Sequence, residues 1–199
     1  MNSYSLTNHR IMKSLSTYSL SLLLFISFLI SGCQEEQSQE SFEKQFTNEL
    51  SIEPEAYFDF WLGKWEVSWE EGDGATGRGT NFIEKTLGGK VIQENFRVNE
   101  GQMKGFMGTS ISVYNPRINT WKQAWADNQG GYFDFTGKID GTNRIFQTDI
   151  QEIGPDTLFT QRMVFYDITQ DSLKWDWESS VDGGETWVLN WRINYIKID

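Results

Sequence analysis

The sequence predicts an all-β domain, an up-and-down barrel or a sandwich, on three observations. From Trp65 onward, short runs of aromatic and β-branched residues recur at regular spacing. Turn-forming glycine, asparagine and aspartate separate them, and hardly any apolar period of helical length interrupts them. Ten strands are expected, at about 64–70, 79–86, 90–98, 103–113, 120–127, 131–139, 144–152, 157–167, 172–179 and 186–197.

Ahead of this domain, residues 1–32 carry Arg10 and Lys13 and no acid, then the apolar run Leu20–Ile30, broken only by Ser21 and Ser27. Those eleven residues are too few to span a bilayer and suit the core of a signal peptide. The run ends in Ile30-Ser31-Gly32-Cys33, which resembles the lipobox of bacterial lipoproteins. That resemblance implies lipidation of Cys33 as the first mature residue, with the membrane as partner through acyl chains. Cys33 is the only cysteine, and in an exported chain a leftover cysteine calls for an explanation. The plainer alternative is an ordinary signal peptide and a free thiol. Residues 33–55 read as an acidic tether, in which Phe42, Phe46 and Leu50 repeat at helical spacing and suggest a short helix. Gln34-Glu35-Glu36 resembles the start of lipoproteins sent to the outer membrane, to its periplasmic or its surface-exposed face.

Without residues 1–32 the chain holds 15 basic and 28 acidic residues, a net charge of −13, and no histidine. With no basic stripe to neutralise phosphates, nucleic acid is excluded as a partner. The barrel domain is expected over 56–199.

The domain opens on Phe58–Trp69, F-D-F-W-L-G-K-W-E-V-S-W. Gly63 allows a tight turn, after which Trp65, Val67 and Trp69 alternate with Glu66 and Ser68 at the period of a half-buried strand. Gly88-Gly89, Asn99-Glu100-Gly101, Asp140-Gly141-Thr142-Asn143 and Asp182-Gly183-Gly184 supply residues that tolerate the positive φ of hairpin loops. Pro116 offers no ladder donor and marks a loop at 115–117.

Phe58–Trp65, Tyr114-Asn115-Pro116 leading to Trp121, Trp121-x-x-x-Trp125-x-Asp127, Gly130-Gly131-Tyr132-Phe133 and Ser180-x-Asp182-Gly183-Gly184-x-Thr186-Trp187 together resemble an uncharacterised bacterial family of lipocalin-like domains. The resemblance covers nearly the whole mature domain and implies a single antiparallel calycin barrel of about ten strands with an interior cavity. It implies no reaction. Gly63-x-Trp65 also resembles the first signature of true lipocalins, in which the tryptophan closes one barrel end against an arginine of the last strand; Arg192 is the expected partner. Ser180–Trp187 matches the Asp-box pattern of sialidase propellers, a hairpin brace in which Asp182 bonds turn amides and Trp187 packs.

On a strand, Trp121, Gln123, Trp125 and Asp127 share one face. Facing a cavity, they would offer two broad rings, an amide and a carboxylate, the mixed lining of a small-molecule pocket. The alternative places the tryptophans in the core and Asp127 in the turn that follows. Trp177 and Trp191 complete the expected lining. Arg162, with Arg97 and Arg192, could grip the head group of a fatty-acid-like ligand or simply pair with a neighbouring acid. Glu66, Glu84, Glu94, Asp134, Asp176 and Glu178 are expected on the solvent face.

Without histidine there is no Ser-His-Asp triad and no histidine-ligated haem. Zinc lacks its usual ligands, no twelve-residue calcium loop is present, and no phosphate-cradling glycine loop precedes a helix. No cofactor, metal or catalytic residue is assigned. The expectation is an outer-membrane lipoprotein whose barrel binds a small apolar or amphipathic molecule. The alternatives are a barrel enzyme of isomerase or cyclase type, with Asp127, Glu94 or Arg162 facing inward, or an interaction module with a filled barrel.

Overall fold

A computed structural model describes residues 52–198. The signal-peptide core, Cys33 and the Phe42–Leu50 spacing lie outside them. The chain runs β1 (Gly63–Glu70), β2 (Thr76–Thr86), β3 (Val91–Glu100), β4 (Met107–Asn115), β5 (Thr120–Asp127), β6 (Tyr132–Asp140), β7 (Asn143–Gln147), β8 (Gln151–Gly154), β9 (Thr157–Tyr166), β10 (Ser172–Ser180) and β11 (Val188–Ile198). All pairings between these strands are antiparallel. Each strand from β1 to β7 pairs with the next, β7 pairs with β9, β9 with β10, β10 with β11, and β11 returns to β1. The result is a closed ten-strand barrel with one extra strand, β8, outside the ring. Closure leaves the barrel itself with no free edge.

The second strand starts at 76 rather than 79, and two other expected strands differ more. The single strand at 144–152 is two, because the ladder breaks at Thr148. Its hydroxyl accepts from the Gln161 amide at 3.0 Å, and its carbonyl accepts from the Thr160 hydroxyl at 3.0 Å. The chain then leaves the ring, and β8 pairs only with the start of β9. The fourth strand starts at 107 rather than 103, since Gly101 and Gly105, both at positive φ, shape a turn there.

One barrel end is plugged by residues 54–62, which form two single 3-10 turns, Pro54–Ala56 and Asp59–Trp61. Phe58 stacks on Phe146 at 4.2 Å and meets Trp121 edge-on at 5.2 Å, while Trp61 packs against Phe165 at 5.0 Å. Backbone carbonyls hold the plug: Trp121 Nε1 donates to Pro54 O at 2.7 Å, Trp65 Nε1 to Trp61 O at 2.8 Å, and Arg144 Nε to Tyr57 O at 3.1 Å. Trp65 is fully buried. The cation over its ring is Lys197, 5.1 Å from the centroid, and not Arg192. Register explains this correction. Lys197 sits opposite Trp65 across the β1–β11 pair, whereas Arg192 lies opposite Asp176 and binds that carboxylate at 2.8 and 2.6 Å. Gly63 belongs to the same contact, because a Cβ there would meet Lys197 Cε at 2.7 Å.

Candidate functional site

Beyond the plug, the barrel interior holds a cavity of about 150 Å³. Strand parity builds it. Glu94 and Phe96 come from β3, Trp125 and Asp127 from β5, and Phe133 and Phe135 from β6. Met163 of β9, Trp175 and Trp177 of β10, and Trp191, Ile193 and Tyr195 of β11 complete the ring, with Phe106 from the β3–β4 turn. An engineered cavity of similar volume with apolar walls takes benzene.

The walls are rings set across one another. Trp191 stands nearly perpendicular to Trp175 (88°, 5.9 Å between centroids) and to Phe96 (89°, 6.0 Å). Phe133 meets Trp177 at 71° and 5.5 Å, and Trp175 lies parallel to Trp177 at 6.4 Å. These are the offset and edge-to-face arrangements that the ring quadrupole favours. Trp125 fits because Gly108 on β4 has no side chain: a Cβ there would collide with the indole.

The most deeply buried acid in this lining is Glu94, 5% exposed. Its carboxylate accepts from Asn81 Nδ2 at 2.7 Å and from Ser110 Oγ at 2.6 Å. The same amide nitrogen reaches the Tyr195 hydroxyl at 3.1 Å, so the acid and the phenol share one donor at the inner end of the cavity. Burial, opposed by the Ser110 and Asn81 hydrogen bonds, pushes the Glu94 carboxyl up to about 7. Burial and the Glu94 charge also push the Tyr195 phenol above its ordinary range.

Asp127 lies on the lining as a different kind of acid. Although partial burial would raise it, the amides of Gly131 and Gln129, both at 2.9 Å, and the Trp125 indole at 3.2 Å hold its carboxyl below the usual range. It is both turn cap and cavity wall, so the two readings of the sequence coexist.

Of the other residues singled out in the sequence, Trp125, Trp177 and Trp191 line the cavity. Trp121 and Gln123 are buried on the same β5 face but outside the lining. Trp121 closes against the plug, and Gln123 donates to Ser112 Oγ at 2.9 Å. Arg162 does not reach the cavity: it pairs with Glu178, and its guanidinium lies 3.9 Å over the Trp187 ring. Arg97 is turned to Met107 and Arg192 to Asp176. Alternation explains this, since Met163 takes the inward position on β9 and Arg162 the outward one.

Glu94 overturns the expectation of a solvent-facing acid. Ile92, Glu94, Phe96 and Val98 are all buried on one face of β3, a parity written in the sequence as one carboxylate on an otherwise apolar period of two. Asp182 behaves as the Asp-box reading expects, accepting from the amides of Glu185 and Thr186 at 3.0 Å, while Trp187 Nε1 donates to Gly184 O at 3.0 Å. Among the described residues, no group of three or more acids, histidines or cysteines could hold a metal ion.

No protein-family model matches this chain, and no curated protein is similar to it.

Proposed function

We propose that this chain is a lipid-anchored outer-membrane lipoprotein of the lipocalin-like kind, whose barrel binds a small apolar or amphipathic molecule. The observation that carries the reading is the aromatic cavity itself. An interior filled with side chains, as an interaction module would have, leaves no such space, and broad apolar walls with a few convergent polar groups are what a small-molecule site requires. The volume suits a small molecule or one end of an amphiphile rather than a whole fatty acid. The anchoring part rests on Leu20–Ile30, the Ile30-Ser31-Gly32-Cys33 match and the acidic start that follows.

The test is mass spectrometry on the protein as extracted from its own cell envelope, first native and then after solvent extraction. The expected result is an acyl-modified N-terminus at Cys33 and a discrete small molecule released from the barrel. An unmodified Cys33 would end the anchoring reading, and a bare barrel mass would end the binding one.

A second reading, a barrel enzyme of isomerase or cyclase type on an apolar substrate, is favoured by one observation. Glu94 faces an apolar cavity with its carboxyl near 7, where it can take and return a proton at neutral pH. Turnover of the extracted molecule by wild type but not by Glu94→Gln would favour it; unchanged substrate would leave carriage alone.

A further inference from the structure

We infer that the ligand is a small organic cation, an amine or quaternary ammonium group seated among the indole rings, with the Glu94 carboxylate as its counter-charge. This rests on the reading of the barrel as a ligand-binding site and narrows it to a chemical class.

The charge of the lining points there. Among the described residues, its charged side chains are Glu94 and Asp127, both acids, and no lysine or arginine joins them. A carboxylate or phosphate ligand would bury its charge against like charge, which costs several-fold in affinity or more. The strand arginines, whose charge would relieve this, are turned outward, Arg162 onto Glu178 and Arg192 onto Asp176.

Glu94 is also a buried acid without a cation beside it. Its hydrogen-bond partners are the uncharged Asn81 from β2 and Ser110 from β4. The titratable groups on the cavity with it are Tyr195 from β11 and Asp127 from β5, and neither is a base. Burying a carboxylate unpaired is unfavourable, and a ligand cation would supply the missing charge.

The walls suit the same guest. Trp191 stands nearly perpendicular to Trp175, and Phe133 to Trp177, so the lining rings are set at different angles around the space. Indole faces attract cations best of the aromatic side chains, and cages of such rings recognise quaternary ammonium groups. A cavity of about 150 Å³ is the right order for one small head group.

Calorimetric titration of the full-length protein with choline and with its uncharged tert-butyl isostere, at about pH 6 and about pH 8, tests this on either side of the Glu94 ionisation near 7. Choline should bind about tenfold or more tightly than the isostere, tighter at the higher pH, and Glu94→Gln should cut that preference several-fold and remove its pH dependence. Should that variant fail to fold, the pH dependence of the wild type decides alone. Equal or tighter binding of the isostere, choline binding that ignores pH, or a folded Glu94→Gln protein that keeps the full preference would overturn the cation. None of these would touch the ligand-binding reading, which a bare barrel from the native envelope would overturn separately. Binding of neither probe also overturns the cation, and a different molecule extracted from the barrel would then name the true class.

Discussion

Glu94 gives this molecule a pH dependence that reaches up to neutrality. Its native carboxyl near 7 lies above the 4.5 of an unperturbed glutamate, so between those values the folded state holds a proton that the unfolded chain has lost. Stability therefore falls as pH rises through this window, by on the order of 3 kcal/mol, and is fully retained only below it. Denaturant unfolding of wild type and Glu94→Gln across about pH 4 to 8 should show this slope in the wild type and its loss in the variant. Parallel curves would mean that Glu94 ionises freely in the native barrel. The period of Ile92, Glu94, Phe96 and Val98 carried the signal of a buried acid, but the rule that strand acids face solvent put Glu94 on the wrong side. Its partners were not legible, because Asn81 and Ser110 meet it only through the pairing of β2 and β4 with β3. Arg192 was misplaced for the same reason: a period of two says which face a side chain takes, but not which residue stands opposite.

At the scale of strands, register decides how bulky rings fit a narrow barrel. The β4–β5 ladder sets Gly108 opposite Asp127, and the Trp125 indole fills the space that a side chain at Gly108 would need. Gly108→Ala should therefore push the indole off its seat at a cost of about 1–3 kcal/mol, read from the denaturation midpoint, with a changed near-ultraviolet dichroism. An unchanged midpoint and spectrum would mean that the ring has room to move. Strand positions were largely readable, since runs such as Trp65-x-Val67-x-Trp69 and the glycine turns carry their own local signals. The break at Thr148 was not, for it depends on a threonine hydroxyl finding the Gln161 amide on another strand. In β11 the register shifts opposite Trp177 and Glu178, so Trp191, Ile193 and Tyr195 line the cavity while Trp187 lies outside on Arg162.

Taken whole, the described domain divides its interior between two tasks. Phe58, Trp61, Trp65, Phe146 and Phe165 pack one end solid, and Phe96, Trp125, Trp175, Trp177 and Trp191 leave the other hollow. Aromatic richness signalled both alike, so the sequence announced a ring-filled barrel without saying where the rings stop. The measurement that tests the hollow half most directly compares the wild type with Met163→Trp, which fills the cavity from β9. A panel of small organic cations and apolar molecules is titrated into both and followed by calorimetry. Saturable binding is expected of the wild type, with its loss in a variant that folds with an unchanged far-ultraviolet spectrum. Equal binding by the two proteins would place the ligand somewhere other than the barrel interior and overturn the hollow barrel as the binding site.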